Sequence, residues 1–151
     1  VTEFEDQGPM PDQNETEPVD WAEPDKFLQL ICDIANSAEG FRLPIRLFTS
    51  AGVVSGDLVG GGTHFRGVAS LLTSEEAPAT ADDGSFAGLF LGMVEFYEAR
   101  GDIPDRVTGF IHLQDAWLFA PGQPPLQIGY WRGRLPKVDA WAMGSYEVPK
   151  A

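Results

Sequence analysis

Two histidines, one cysteine and a triple glycine are the parts of this chain whose residue types most often do chemistry. Gly60-Gly61-Gly62 has the look of a phosphate loop, but such a loop needs a Lys-Ser or Lys-Thr pair after its glycines. Thr63-His64-Phe65 supplies neither, so the glycines read as a flexible exit from a hairpin. His64 then stands at the start of a short helix, where a surface or capping role is expected. His112 lies between Ile111 and Leu113, and strand alternation sets it opposite to both. If those two face the core, His112 is exposed or at a subunit contact. A metal site assembled from His64, Asp57 and Asp115 lacks any HxH or HExxH spacing. Cys32 falls four residues after Leu28 and three before Ala35, on the apolar stripe of a predicted helix, which makes it a buried thiol and not a nucleophile. On these grounds no catalytic residue, no metal and no cofactor is assigned.

Charge narrows the partners. The 151 residues carry a net charge of −13, and phosphate-rich nucleic acid requires the opposite sign. The excess is localised. Residues 1–25 hold nine acids and no base, whereas the rest holds fourteen acids against ten bases and is near −4. Residues 1–24, with Pro9, Pro11, Pro18 and Pro24 and few apolar groups, read as an acidic disordered tail. Phe4, Met10 and Trp21 are its apolar exceptions. A lone cysteine, an acidic N-terminal stretch and no apolar run of ~18–20 residues fit a cytoplasmic protein without a membrane span.

The elements that must position any site begin at Pro24-Asp25. Phe27, Leu28, Ile31, Ile34, Ala35 and Ala38 recur at helical spacing, and Gly40 supplies a stop. Phe41, Leu43, Ile45 and Leu47 then alternate as a strand, with Pro44 requiring an edge or one-sided pairing. Thr49-Ser50-Ala51-Gly52 turns into Val53–Val59, and Gly56 suggests a bulge. A short helix carries Phe65, Val68, Ala69 and Leu72 on one face. After polar 74–83, Phe86, Leu89, Phe90, Met93, Val94 and Tyr97 form the stripe of a stronger helix begun by Asp82, Asp83 and Ser85. Gly101 and Pro104 end it. Strands follow at about 106–119, 126–135 and 138–143, with Pro121–Pro125 and Pro136 as breaks. The order is one helix, two strands, a two-helix insertion and three strands.

Two stretches resemble the Sm-like fold. Ile111-His112-Leu113-Gln114-Asp115-Ala116 is similar to its third strand and turn, and Tyr130-Trp131-Arg132-Gly133 to the Arg-Gly signature of its fourth strand. Closer still, about 25–144 resembles the GvpU family of gas-vesicle accessory proteins, through residues 30–36, Val54–Val59, Phe110–Ala116 and Trp131–Leu135. The acidic tail is outside that likeness. The resemblance implies an α+β fold: a small five-stranded Sm-like β-barrel behind an N-terminal helix, with a two-helix insertion between strands 2 and 3, spanning 25–148. It also implies a non-enzymatic cytoplasmic protein that modulates gas-vesicle assembly or clustering, with shell or other accessory proteins and further copies of itself as partners. RNA-reading relatives of the Sm-like fold use an Asn early in the third strand. Phe110 stands there, so nucleic acid is not expected.

Aromatic density near the C-terminal strands gives the expected interaction surface: Trp117, Tyr130, Trp131, Arg132 and Trp141, with Tyr130 and Trp131 facing opposite ways. Two rivals remain at this level. One is a generic Sm-like oligomeric module for RNA or a small ligand. The other is an enzyme with a pocket at the barrel-helix interface, favoured if His112, Asp115 and Arg132 converge. The tail is expected to keep the free protein dispersed through charge. Deleting residues 1–24 should therefore increase self-association, and raising salt should do the same to the intact chain, because screening shortens repulsion to ~8–10 Å. Light scattering checks this: equal monomer content for both chains across salt would refute it.

Overall fold

A computed structural model describes residues 22–73, 79–99 and 108–148. The acidic tail lies outside these residues up to Trp21, as do the helix stop expected at Gly101 and Pro104 and the strand start expected near Arg106.

Helix α1 spans Lys26–Ser37. Asp25 caps it, since the Leu28 N–H donates to Asp25 Oδ1 at 2.8 Å. Its stripe buries Leu28, Cys32 and Ala35. Strands β1 (Leu43–Thr49) and β2 (Gly52–Val59) form the expected hairpin, with Thr49 opposite Gly52. Pro44 pairs with Asp57 on β2, while the ladder on its other side stops at Ile45, so the missing N–H breaks no bond there. The β2–β3 register shifts between Ser55 and Asp57, where Asp115 and Ala116 of β3 face the single residue Gly56, so the bulge expected at Gly56 lies in β3 opposite it.

Helices α2 (Gly61–Leu71) and α3 (Phe86–Glu98) pack together as the insertion between β2 and β3. Ser85 caps α3 by accepting from the Gly88 N–H at 2.9 Å. The triple glycine is not a flexible exit. Gly60 is the N-cap of α2, and Gly61 and Gly62 form its first turn. Small residues are needed because this turn abuts both other helices: the Gly61 N–H donates to Asn36 Oδ1 at 2.8 Å, and Gly61 lies against the Tyr97 ring.

Strands β3 (Phe110–Phe119), β4 (Leu126–Arg134) and β5 (Ala140–Met143) complete one antiparallel sheet in the order β4-β3-β2-β1-β5, with a 3-10 turn at Leu135–Lys137. One core lies on its inner face, where Ile45, Leu47, Val54, Leu58, Ile111, Leu113 and Ala116 meet the stripe of α1 and Leu135. A second core lies opposite, where Phe65, Val94 and Tyr97 join α2 to α3.

All five expected strands share a single sheet, but that sheet is open and not the closed barrel that the resemblance implied. The four residues of β5 pair with β1, and β4 pairs with β3, so β4 and β5 are the two edges among the described strands. Side chains span the gap instead: Trp131, Leu135 and Val138 pack on the inner core.

The glycines make a paired test. A methyl group at Gly61 meets the Tyr97 ring, whereas at Gly92, within α3, it meets nothing within 4 Å. Gly92→Ala should therefore raise stability by about 0.5–1 kcal/mol through lower unfolded-chain entropy. Gly61→Ala should lower it by roughly 1–3 kcal/mol through overpacking. Urea unfolding midpoints of the two variants against the parent measure both signs.

Candidate functional site

The polar groups with the strongest claim to a site sit between β3 and the inserted helices. Alternation along β3 sends Ile111 and Leu113 into the inner core and His112 to the other face, as the sequence requires. That face is covered there. His112 is 2% exposed, and its ring lies 5.5 Å from Tyr97 and 5.7 Å from Phe65, centroid to centroid. His64, in the second turn of α2, comes down onto it at 4.7 Å and is 5% exposed. Neither histidine is on the surface. The sequence expectation failed because it could not see that α2 returns over the strand.

Arg132 on β4 stands opposite His112 in the ladder, and its Nε–H donates to His112 Nε2 at 3.2 Å. Accepting there requires an unprotonated Nε2, so this contact fixes the tautomer of His112. The guanidinium rests 3.6 Å from the Phe110 ring centroid and 5.4 Å from that of Phe65. The fixed cation also acts on His64. Burial lowers the His64 pKa from 6.5 to about 4, the Arg132 charge pushes the same way, and a hydrogen bond with the Leu113 backbone opposes both. His64 Nδ1 is buried without a hydrogen-bond partner in the structure. The pair is a neutral plug beneath α2, its two rings tilted at 43° to each other.

The convergence that would have favoured an enzyme does not occur. Asp115, at φ 52, turns away from Arg132 and pairs with Arg42 at 2.7 Å. Asp57 holds the same guanidinium, accepting from Arg42 Nε at 2.7 Å, and this hydrogen bond raises the Arg42 pKa. Arg132 therefore partners a histidine and ring faces. Among the described residues no group of three His, Cys, Asp or Glu side chains could hold a metal. Cys32 is buried on α1, as its spacing predicted.

The five residues of the expected interaction surface are dispersed. Tyr130 and Trp131 point to opposite faces, but both faces are occupied: Tyr130 lies 5.8 Å from His64, and Trp131 packs on the inner core. Trp117 and Trp141 are half-buried, and Arg132 is exposed. Trp141 packs with Phe27 of α1 at 5.9 Å. Phe27 and Ile34, which helical spacing grouped with Leu28 and Ala35, are 60% and 47% exposed, and Leu30 between them is 52% exposed. Phe86 and Leu89 on α3 are likewise exposed, while Val94 and Tyr97 are buried. The signal was available: Glu95 and Glu98 are the only charged residues of α3, and a helix apolar nearly all round needs cover on more than one face.

A family model described as gas vesicle protein GvpU-like matches residues 25–146. The chain belongs to this GvpU-like family. The match takes in all three helices and all five strands, and it leaves out most of the acidic segment. No curated protein matches the chain, and no solved structure does. This GvpU-like chain is thus gas-vesicle-related, and among its described residues no helix is long and apolar enough to cross a membrane. The stretches 30–36, 54–59, 110–116 and 131–135, which carry the likeness in sequence, contribute Cys32, the β3 bulge with Gly56 opposite it, His112 and Arg132.

The histidine plug sets a pH dependence. Folded His64 holds its proton only near pH 4, whereas the unfolded chain binds one below about 6.5. Its contribution is therefore full above 6.5 and is lost as pH falls from 6.5 toward 4. Its imidazole faces His112 and Tyr130 on the sheet and Arg132 across it, so no carboxylate named here offsets the new charge. The loss should be on the order of 2 kcal/mol after allowance for screening. His64→Gln should flatten that part of the urea-unfolding profile between pH 7 and 4. An unchanged slope would show that His64 is not buried in neutral form.

Proposed function

We propose that this GvpU-like chain is a non-enzymatic, cytoplasmic gas-vesicle accessory protein that modulates vesicle assembly or clustering through contacts with shell or other accessory proteins and with copies of itself. The observation that carries the reading is the family match across residues 25–146. The chemistry of the surface supports it. Phe27, Leu30 and Ile34, joined by the half-buried Trp141, make a continuous apolar strip along α1. Such strips are rare on surfaces that face water alone and mark contacts with other macromolecules. The open sheet adds backbone donors and acceptors on the outer edges of β4 and β5, which suit pairing with another chain. The contact surface favoured here is therefore centred on α1 and Trp141, not on Trp117, Tyr130 and Trp131, which are partly covered by the fold.

The test is a pull-down from a gas-vesicle-producing host, using the full chain and a Leu30→Glu/Ile34→Glu variant as baits. Both positions are exposed, so the variant should keep the parent's melting temperature within a few degrees. Shell or accessory proteins should be enriched on the parent and at least tenfold less on the variant. Enrichment of nucleic acid in their place would overturn the reading.

A further inference from the structure

A cleft of about 210 Å³ lies between the β1–β2 turn at Thr49–Ala51, strand β4 and the connection that follows β4. Val54, Leu118, Trp131 and Val138 form apolar walls, and exposed Arg134 and Lys137 stand at its margin. Neither cation makes an ion pair with a described residue, although Asp139 is near in sequence. Arg132, Arg134 and Lys137 are three bases within six residues in an otherwise acidic chain. An apolar cavity with a cationic margin suits an apolar side chain flanked by carboxylates.

The chain contains that pattern in Glu3-Phe4-Glu5-Asp6. Met10, the neighbouring apolar residue, stands between two prolines with no adjacent carboxylate and fits the margin less well. Volume is sufficient, because a dry cavity of ~150 Å³ holds benzene, the ring of a phenylalanine. The segment also joins the domain beside the cleft. The Trp141 indole N–H donates to Asp25 Oδ2 at 3.4 Å, and Phe27 packs on the same indole. Trp141 is only three residues beyond Val138 and four beyond Lys137. From Ala22 back to Phe4 the chain can reach up to roughly 60 Å, far more than this path needs.

We propose that this cleft is the seat of the chain's own acidic segment, with the Phe4 ring between Trp131 and Val138 and the carboxylates of Glu3, Glu5 and Asp6 against Arg134 and Lys137. Seated there, the segment lies along β4 beside the β1–β2 turn and hinders a second chain from pairing along the β4 edge. The docked tail is then a built-in restraint on that edge, released by salt or by a competing acidic partner.

The experiment uses the full chain with a nitroxide on Thr2→Cys; Cys32 is buried, and mass measurement confirms a single label. Paramagnetic broadening should be strongest at the methyl signals of Val54, Leu118 and Val138 in 50 mM salt. It should fall at least threefold in 1 M salt, in Phe4→Ala and in Arg134→Glu/Lys137→Glu, with the remaining spectrum unchanged as the control for folding. A second sample mixes spin-labelled chains with separately isotope-labelled ones. Broadening in that mixture at least as strong as within one chain would assign the seat to a second copy and overturn the proposal. Weak, even broadening across the domain, or broadening centred elsewhere, would overturn it as well.

Discussion

Strand β3 has to be buried on both of its faces, and most of the structure follows from that requirement. Ile111, Leu113 and Ala116 look into the inner core beneath α1, while His112 looks the opposite way into the ring cluster beneath α2 and α3. An antiparallel strand with one solvated face would carry a polar residue there. Imidazole is a compromise. It is flat enough to meet Phe65 and Tyr97 edge to face, yet it keeps a nitrogen that accepts from Arg132. Take away the helical insertion and His112 would lose the rings that cover it. Take away His112 and Arg132 would lose its partner in the ladder.

The same geometry explains why two histidines, an arginine and several nearby rings amount to architecture. Chemistry on an imidazole at neutral pH needs a ring that can take up and release a proton within reach of a substrate. Here burial and the Arg132 cation both favour the neutral form of His64, and the two imidazoles lie 4.7 Å apart, closed in by rings. The nearby carboxylates are engaged with another cation: Asp57 and Asp115 share Arg42. Among the described residues, the charges named for this face are sorted into separate small groups.

An open sheet leaves unmet hydrogen-bonding groups at β4 and β5, and exposed apolar residues remain on α1 and α3. Both are unsatisfied demands of the isolated chain, of a kind that contact with other macromolecules meets. Membership of a gas-vesicle family and these surfaces point the same way from independent premises, one comparing sequences and the other reading which atoms the fold leaves uncovered.

Local rules settled a good part of this. Period and punctuation placed α1, the β1–β2 hairpin, the Ser85 cap and the break at Pro136, because each depends on neighbours within a few residues. The family, too, was legible from short stretches of strand and helix. What lay beyond the sequence were contacts between segments far apart in the chain. Whether His112 met water or a helix depended on where α2 landed, and the triple glycine was a helix start only because α1 and Tyr97 crowd it. Arg132 found His112 and not Asp115 because the β3–β4 register sets those two side by side. Whether the sheet closed depended on the few residues between β4 and β5, since a period of two fixes which face a side chain takes but not which strand lies beside its own.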